Sequence, residues 1–425
     1  MPSRIVGTAF HYMCAGELNV RFGILLSATA GMALLVAAPA AATSFTPAQV
    51  LQASAALQAM RELNLIVLGD LTSGAEIEGK AFVGGSVSGS NENFGIGSSA
   101  HPGQGFAVNS RATLTVGGNV GADIHINNGL NGSTGTSTSS GLASVADVGG
   151  NVTGTVGVNV SPAAIRVGGS FNNQNFNPAA DRTATYGTTA SNLQAQDAPF
   201  VVHDAGLAAA QTGLAATIAG QTATLTADLT QLSTMFSSLT ANAAFNTSDH
   251  NNIFVTYDPT AIATGYAVID VNASDLMGYS GTLNFNLLSS GGNPLTTIVN
   301  VIGSGNYNFA LNVNNAALDQ NVIWNFASAN SLTTQTEFYG SVLAPTTILN
   351  NKNAIDGSVV ARTFFQQGEV HLGTFAGYGG FFETTTGGGT GGVPEPASWA
   401  LMLLGFGATG SLIRRQRRKE RLAAA

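Results

Sequence analysis

A short motif recurs along the first half of the chain and constrains its fold more than any other feature. Four copies of Val-Gly-Gly, each followed by Ser or Asn and then Val or Phe, lie at residues 83–87, 116–120, 148–152 and 167–171, with spacings of 33, 32 and 19 residues. Each copy sets β-branched residues beside glycines that permit bends, and such self-similarity is typical of stacked coils. The motif predicts a mainly β fold, a β-solenoid (β-helix) whose coils bury their apolar sides on one another.

The same motif indicates how the coils are joined and where they vary. Weaker copies at residues 340–342 and 357–360 extend the pattern to the second half of the chain. We expect Asn and Ser at matching positions to form hydrogen-bonded ladders between coils. The uneven spacing predicts loops of different length, for which the polar segments 88–110, 127–146 and 172–199 are the candidates.

Two segments depart from the β pattern and predict helices. Near residues 46–63, Thr46 can cap the helix and Pro47 suits its first turn. Near residues 204–239, apolar residues recur at helical spacing along one stripe, which predicts a long helix flanking the solenoid. A coiled-coil dimer is the alternative, disfavoured by two glycines and by the scarcity of charges. The stripe consists of Leu207, Leu214, Ile218, Leu225, Leu229, Leu232, Phe236 and Leu239.

The N-terminus predicts export. Residues 1–42 contain Arg21, an apolar run over 22–38 and then small residues suited to cleavage, so we interpret them as a signal peptide that starts at Met1 or Met13. A retained N-terminal anchor is the alternative. The single cysteine, Cys14, would be lost with the signal, and the mature chain would then be stabilised by packing and not by disulfides.

The charge of the central region excludes several partners. Between the two terminal signals there are seven Lys and Arg residues against twenty Asp and Glu residues, a net charge of −13. Nucleic acids and anionic membranes require a basic surface, so we predict no nucleic-acid partner.

The C-terminus has three consecutive parts behind a linker at residues 384–392. Val393, Pro394, Glu395 and Pro396 form an extended segment, because the two prolines oppose a helix. Residues 397–413 are 17 uncharged residues, which at a helical rise span ~26 Å and predict a single transmembrane helix. The basic tail at 414–421 should stay in the cytoplasm, which places all preceding residues outside. This tail contains Arg414, Arg415, Arg417, Arg418 and Lys419.

This tripartite tail at residues 393–421 resembles the PEP-CTERM sorting signal of Gram-negative bacteria. The P-E-P motif, the helix that contains Trp399 to Phe406, and the arginines all match. The resemblance implies a precursor inserted in the inner membrane, recognition and cleavage by an exosortase, and release or attachment at the cell surface. A plain C-terminal anchor is the alternative.

Residues 43–383 resemble the choice-of-anchor A domain of bacterial surface proteins. That resemblance implies a β-helix with a flanking helix, similar to ice-binding proteins, and a non-enzymatic adhesive role without a cofactor, catalytic residue or metal. The matching segments are Val67–Asp70, Glu78–Val87, Trp324–Phe326, Gly340–Pro345 and Ile355–Ala361.

Few residue patterns suggest chemistry, and each has a plainer structural interpretation. Gly95–Ala100 fits a dinucleotide fingerprint, but it lies in a polar loop without the required strand and helix. Asp123 with His125, and Glu369 with His371, are two residues apart and could each share a metal, although two ligands do not make a site. The pairs Asp249–His250 and His203–Asp204 are interpreted as a turn and a helix start capped by Asp204.

These observations leave three hypotheses about function. The first is a secreted or surface-attached adhesive or matrix protein that binds extracellular polysaccharide or cell-surface components. The second is a polysaccharide-active enzyme, which would need two carboxylates across a cleft. The third is ice binding, for which Thr113-x-Thr115 and Thr153-x-Thr155 are the matching pairs. The carboxylates available to an enzyme are Glu76, Glu78, Asp270, Glu337 and Glu369.

Overall fold

The structure of the chain is a computed structural model. The predicted signal peptide, linker and sorting signal lie outside the residues that the structure describes, as does most of Gly95–Ala100. Within the described residues, no helix is both long and apolar enough to cross a membrane. The structure describes residues 45–90, 92–96, 111–127, 144–256, 265–285, 289–290, 293–313, 318 and 320–377.

Among the described residues the helices are few. They are α1 (Pro47–Glu62), α2 (Leu214–Ser237) and α3 (Ala273–Leu276), with 3-10 turns at Ala195–Asp197 and Ala205–Ala208.

Most of the remaining described residues belong to short strands. Before α2 these are β1 (Leu65–Val67), β2 (Leu71–Ser73), β3 (Ala81–Val83), β4 (Val87–Gly89), β5 (Glu92–Phe94), β6 (Leu114–Val116), β7 (Ile124–Ile126), β8 (Ser144–Val148), β9 (Val156–Val158), β10 (Ala163–Val167), β11 (Phe171–Asn172), β12 (Arg182–Tyr186), β13 (Ala190–Ser191) and β14 (Val201–His203). After α2 they are β15 (Ala244–Asn246), β16 (Asn252–Thr256), β17 (Tyr266–Asn272), β18 (Thr282–Asn284), β19 (Ser289–Ser290), β20 (Asn293–Pro294), β21 (Thr296–Ile302), β22 (Asn306–Phe309), β23 (Asn312–Val313), β24 (Val322–Asn325), β25 (Ser331–Thr334), β26 (Phe338–Tyr339), β27 (Ser341–Asn351), β28 (Ile355–Asp356), β29 (Val359–Gln366) and β30 (Val370–His371).

Most of the strands form three parallel stacks that the chain visits in turn, whereas β11-β13, β15-β16-β18-β23 and β19-β20 form separate sheets. The first stack has the order β14-β12-β10-β8-β6-β3-β1-β29-β27-β24-β21-β17, in which every neighbouring pair is parallel. The second contains β22, β25, β2, β4 and the later halves of β27 and β29. The third contains β26-β28-β30 and β5-β7-β9, joined through Ile77. The prediction of a mainly β fold is confirmed, with a large parallel sheet.

The strand order places the two ends of the domain side by side. We call one passage of the chain through the three stacks a coil. β1 lies between β3 and β29, so the first coil is in the interior of the strand order. From β1 the chain adds strands in one direction as far as β14. After α2 it continues at the opposite end of the strand order, at β17, and its later strands approach β1 and end with β29 beside it. Residues near 70 therefore lie beside residues near 365, although they are about 300 positions apart.

The Val-Gly-Gly copies form aligned corners between the first and second stacks. The backbone amide of Ser86 donates to Asp70 Oδ1 at 2.8 Å, and that of Asn119 donates to Ser86 Oγ at 3.1 Å. The amides of Asn151 and Ser170 continue the series at 2.8 Å each. The expected Asn and Ser ladder is therefore present, and each coil supplies an acceptor for the next.

Helix α2 covers the outward side of the first stack and contacts α1. The predicted stripe is buried from Leu214 to Phe236, against strand residues such as Phe82 and Ile298. Asn325 on β24 fixes the helix, because its Nδ2 donates to the Ser233 carbonyl at 2.9 Å and its Oδ1 accepts from Ser233 Oγ at 2.6 Å. A flanking helix shields apolar strand residues that would otherwise face water.

The long helix begins ten residues later than the range 204–239 predicted. Asp204 caps the 3-10 turn instead, with the amide of Gly206 donating to its Oδ1 at 2.9 Å. Gly213, in an extended conformation, then precedes the first helical residue. The helical spacing of apolar residues includes Leu207, which lies in the 3-10 turn before the helix. The spacing alone therefore predicted the wrong first residue of the helix.

Three segments predicted as loops contain strands. β5 lies in 88–110, β8 begins inside 127–146, and β12 and β13 lie in 172–199. Strands of two to five residues, polar on their outward side, leave little apolar pattern in the sequence. The turn after β12 is a further copy of the repeat. Gly187 stacks on Gly168, 19 residues earlier, and Tyr186 and Thr188 replace the Val and the second Gly of the motif.

Substituting Gly149 by Ala should destabilise the fold. An added Cβ would lie 2.5 Å from the Gly117 carbonyl oxygen and 2.8 Å from Ala215 Cα, and neither backbone atom can move freely. We expect a loss of about 2–3 kcal/mol in the free energy of unfolding, measured by urea denaturation.

The matched control is Gly220→Ala in α2, where an added Cβ meets no atom within 4 Å. That variant should be more stable by about 0.5–1 kcal/mol, because Ala favours a helix. Equal stability of Gly149→Ala and the wild type would contradict the close stacking of the corners.

Candidate functional site

The third stack gathers acidic residues from distant parts of the sequence on its outward side. Its inward residues Phe338, Ile355, Val370 and Ile77 are buried in successive coils. The residues on either side of each inward residue point outward, because side chains alternate along a strand. We call the resulting surface the acidic face. It comprises Glu76, Glu78, Glu337, Asp356, Glu369 and His371.

His371 is held between two carboxylates at the centre of the acidic face. Its Nδ1 lies 2.5 Å from Asp356 Oδ1, and its Nε2 lies 2.8 Å from Glu369 Oε2. The hydrogen bond to Asp356 is the main cause that raises the pKa of His371 to about 9, with further support from Glu369 and from the charge of Glu78. The imidazole is therefore a cation at neutral pH and donates both of its hydrogen bonds.

The acidic face also contains the one group of possible metal ligands found among the described residues. One ligand atom each of Glu337, Asp356 and His371 lies within 4.8 Å of the others. A metal ion would require His371 to be neutral, and the raised pKa of His371 opposes that at neutral pH. At neutral pH the arrangement favours an ion pair between the imidazolium and the carboxylates.

A ladder of amides continues the acidic face along the third stack. Asn159 Nδ2 donates to Asn127 Oδ1 at 2.7 Å, and Asn127 Nδ2 donates to Asn93 Oδ1 at 3.2 Å. Asn93 Nδ2 in turn donates to Glu76 Oε1 at 3.1 Å. The outward side of the third stack is thus a connected polar surface.

The structure brings four of the five candidate carboxylates together. Glu76, Glu78, Glu337 and Glu369 all belong to the acidic face. Asp270 is separate and accepts from Asn300 Nδ2 at 2.9 Å. Sequence reasoning missed Asp356, whose only local signal is its position after Ile355 in the weaker copy of the repeat.

The other predicted pairs have structural roles. Asp123 Oδ1 accepts from both the amide and the hydroxyl of Thr155 at 2.8 Å, and these bonds lower the pKa of Asp123. Asp249 Oδ1 accepts from the amide of Asn251 at 2.9 Å. The ring of His250 stacks on Tyr279 with 3.8 Å between centroids.

A buried acid lies behind the acidic face. Glu92 is fully buried, and its Oε2 is 2.5 Å from Ser73 Oγ, which also contacts Gln366 Oε1. Burial raises the pKa of Glu92 to about 7. Its inaccessibility makes it a polar element of the core and not a group that meets a substrate.

The second stack carries a row of mostly polar residues on its outward side. Register aligns six coils side by side, and Thr72 and Ser88 hydroxyls are 3.3 Å apart. We call this the polar row. It comprises Asn308, Thr333, Asn350, Phe365, Thr72 and Ser88.

The threonine pairs proposed for ice binding are not on such a row. Thr113 is fully buried and Thr115 is only 6% exposed, so neither can meet ice. Thr153 is exposed, whereas Thr155 is bonded to Asp123.

Two parts of the sequence match known protein families. Residues 56–372 match the family described as "Putative Ice-binding-like adhesive domain". The chain belongs to this family. Residues 392–419 match the PEP-CTERM protein-sorting motif. The ice-binding-like adhesive domain is therefore part of an exported cell-surface protein that carries an exosortase sorting signal.

Two further comparisons add little to the family assignment. A solved ice-binding protein from an Antarctic bacterium, Flavobacteriaceae, is 14% identical, with 76% of this chain and 83% of that chain covered and a TM-score of 0.20. At that TM-score the similarity carries no argument. No curated protein matches the chain.

Replacing His371 by Gln should change how the stability of the ice-binding-like adhesive domain depends on pH. The folded-state pKa of about 9 exceeds the ordinary value of 6.5, so the contribution of His371 is present below pH 6.5 and lost as pH rises through 9. Because the site is partly exposed, we expect the wild type to lose about 1–2 kcal/mol relative to His371→Gln between pH 6 and 10.

Urea denaturation at several pH values measures this difference. The comparison with the variant is needed because burial lowers the pKa of Lys80 to about 8, which acts in the opposite direction in both proteins. Asp356→Asn should remove more of the effect than Glu369→Gln. Parallel curves for wild type and His371→Gln would show that the imidazolium does not stabilise the acidic face.

Proposed function

We propose that this protein is a non-enzymatic adhesive or matrix protein that binds extracellular polysaccharide or cell-surface components. We further infer that its three parallel stacks wind as a β-solenoid of the choice-of-anchor A type. The family name describes an adhesive domain, and the sorting motif describes a route to the surface. Together they support a protein that works by attachment.

The polar row is the observation that carries this proposal. It presents hydroxyl or amide groups from five of six adjacent coils, with Phe365 in the sixth, and neighbouring parallel strands are about 4.8 Å apart. A surface of this kind offers many similar, weak contacts to a polymer that also repeats. Binding through many such contacts gains affinity without a deep pocket.

The sorting signal supplies the proposed route. The precursor is inserted in the inner membrane through residues 397–413, with the basic tail inside. An exosortase then recognises Pro394-Glu395-Pro396 and cleaves nearby. The mature protein is released or attached at the cell surface.

The acidic face is the one observation that favours an enzyme acting on polysaccharide. It brings several carboxylates together, as glycoside cleavage requires. However, Asp356 and Glu369 both accept a hydrogen bond from the His371 cation, so neither is a free carboxylate. This state suits a structural contact better than a general base, and we therefore rank the enzyme second. Ice binding ranks third, because of the buried Thr113 and Thr115.

Two lysines introduced into the polar row should reduce attachment. Thr72→Lys with Asn308→Lys places long cations at two exposed positions in different coils. We expect roughly tenfold fewer cells or less polysaccharide retained by immobilised protein, because the new side chains hold the polymer away. The control is Thr226→Lys with Thr234→Lys, at exposed positions of α2.

The same assay separates the three functions. Retention without new reducing or unsaturated sugar ends supports adhesion, whereas such ends would establish the enzyme. Thermal hysteresis of the purified protein would establish ice binding. Equal retention by the polar-row variant and its control would remove the polar row as the adhesive surface.

Replacing Pro394 and Pro396 by Ala should block sorting. The change removes both prolines of the motif that the exosortase is proposed to recognise, so we expect uncleaved precursor to accumulate in the inner membrane. Membrane fractionation with mass spectrometry of both protein ends measures this. Normal processing of the variant would argue against exosortase recognition.

A further inference from the structure

A cavity of about 560 Å³ opens among the loops that follow β11 and β13. Its volume is within the range of small-molecule sites. Seven of its nine lining residues are Asn or Gln, together with Asp197 and Pro178. The cavity is separate from the acidic face and contains none of its residues.

Asn173 gives this cavity an unsatisfied acceptor. It is only 6% exposed, and its Nδ2 donates to Asp197 Oδ2 at 2.8 Å. Its Oδ1 is buried and has no hydrogen-bond partner in the structure. The carboxylate partner fixes which end of the amide is the oxygen. An unsatisfied buried acceptor costs about 1–3 kcal/mol, and a ligand donor would recover that cost.

The walls of the cavity are held in place before any ligand arrives. Asp197 is 8% exposed, and its Oδ2 also accepts from the amide of Gln194 at 3.0 Å. Asn192 Nδ2 donates to Asn172 Oδ1 at 2.7 Å, which joins the two loops. A preformed site loses less entropy when it binds.

The lining residues select the chemistry of the ligand. A carboxamide offers two donors and one acceptor, which suits hydroxyl groups that also do both. No Lys or Arg lines the cavity, and Asp197 is its single charge, so an anionic ligand has no counterion there. One carboxylate is also few for a Ca²⁺ site. The complementary ligand is neutral and rich in hydroxyl groups.

We propose that this cavity binds a neutral sugar unit of the polysaccharide to which the protein attaches. The amides that line the cavity, including Asn173, bond the hydroxyl groups of the sugar. The proposal rests on the adhesive function, and it adds a specific subsite to the broad contact made by the polar row.

The test uses Asn175→Gly with Asn177→Gly in the full-length protein. Both asparagines line the cavity and have left-handed backbones, with φ of 67° and 51°, which Gly adopts readily. The change removes two wall amides and preserves the loop conformation. Gln335→Ala, an exposed amide elsewhere, is the control.

Titration with glucose, galactose, mannose and their neutral oligosaccharides is followed by calorimetry. We expect one of them to bind the wild type and the control alike, and the cavity variant at least tenfold more weakly. Binding by the cavity variant with unchanged affinity, or no binding of any neutral sugar to the wild type, overturns the proposal. Binding of Ca²⁺ alone, abolished in the variant, overturns it in favour of a cation site.

Failure of this proposal and failure of the adhesive function are distinguishable. Sugar titration in solution reports only on the cavity, whereas retention by immobilised protein reports on adhesion. Retention that survives in Asn175→Gly with Asn177→Gly, without sugar binding, leaves the adhesive function intact and removes the cavity from it.

Discussion

The contact on which the structure depends is the hydrogen bond from each corner's backbone amide to a side-chain oxygen of the previous coil. Ser86, Asn119, Asn151 and Ser170 make this contact in succession. The glycines before them let neighbouring backbones approach more closely than any Cβ would allow. The corner therefore sets the register of the coils that carry it, and register decides which residues face outward.

Register in turn creates the functional surfaces. Outward residues of one stack align into rows because the coils do not slip, and this produces both the polar row and the acidic face. The central position of β1 is as important as the register. Glu76 and Glu78 lie beside His371 only because the first coil pairs with the last. Glu76 and Glu78 join the acidic face at the junction of the two halves, whereas its other four members come from the second half.

The sequence was sufficient to predict the repeating elements and insufficient to predict what depends on their order. The Val-Gly-Gly copies predicted a mainly β fold and the ladder, and the stripe from Leu214 to Phe236 predicted the flanking helix. The start of that helix was misplaced, because Asp204 caps a different turn. The coil at Tyr186 escaped detection because it retains only one glycine of the motif. The acidic face could not be predicted, since no local spacing shows that coils some 300 residues apart are neighbours.

The fold also explains why adhesion is the better proposal than catalysis. Parallel coils repeat a surface, and repetition favours a partner that repeats, such as a polysaccharide. Catalysis needs convergence of groups with matched and separate pKa values on one small site. The acidic face brings several carboxylates together, but its central imidazole is bonded to Asp356 and Glu369 and is charged at neutral pH. Two of the carboxylates on this face, Asp356 and Glu369, therefore hold the cation. A surface of periodic, individually weak contacts, with the proposed sugar subsite beside β11 and β13, uses what the stacked strands provide.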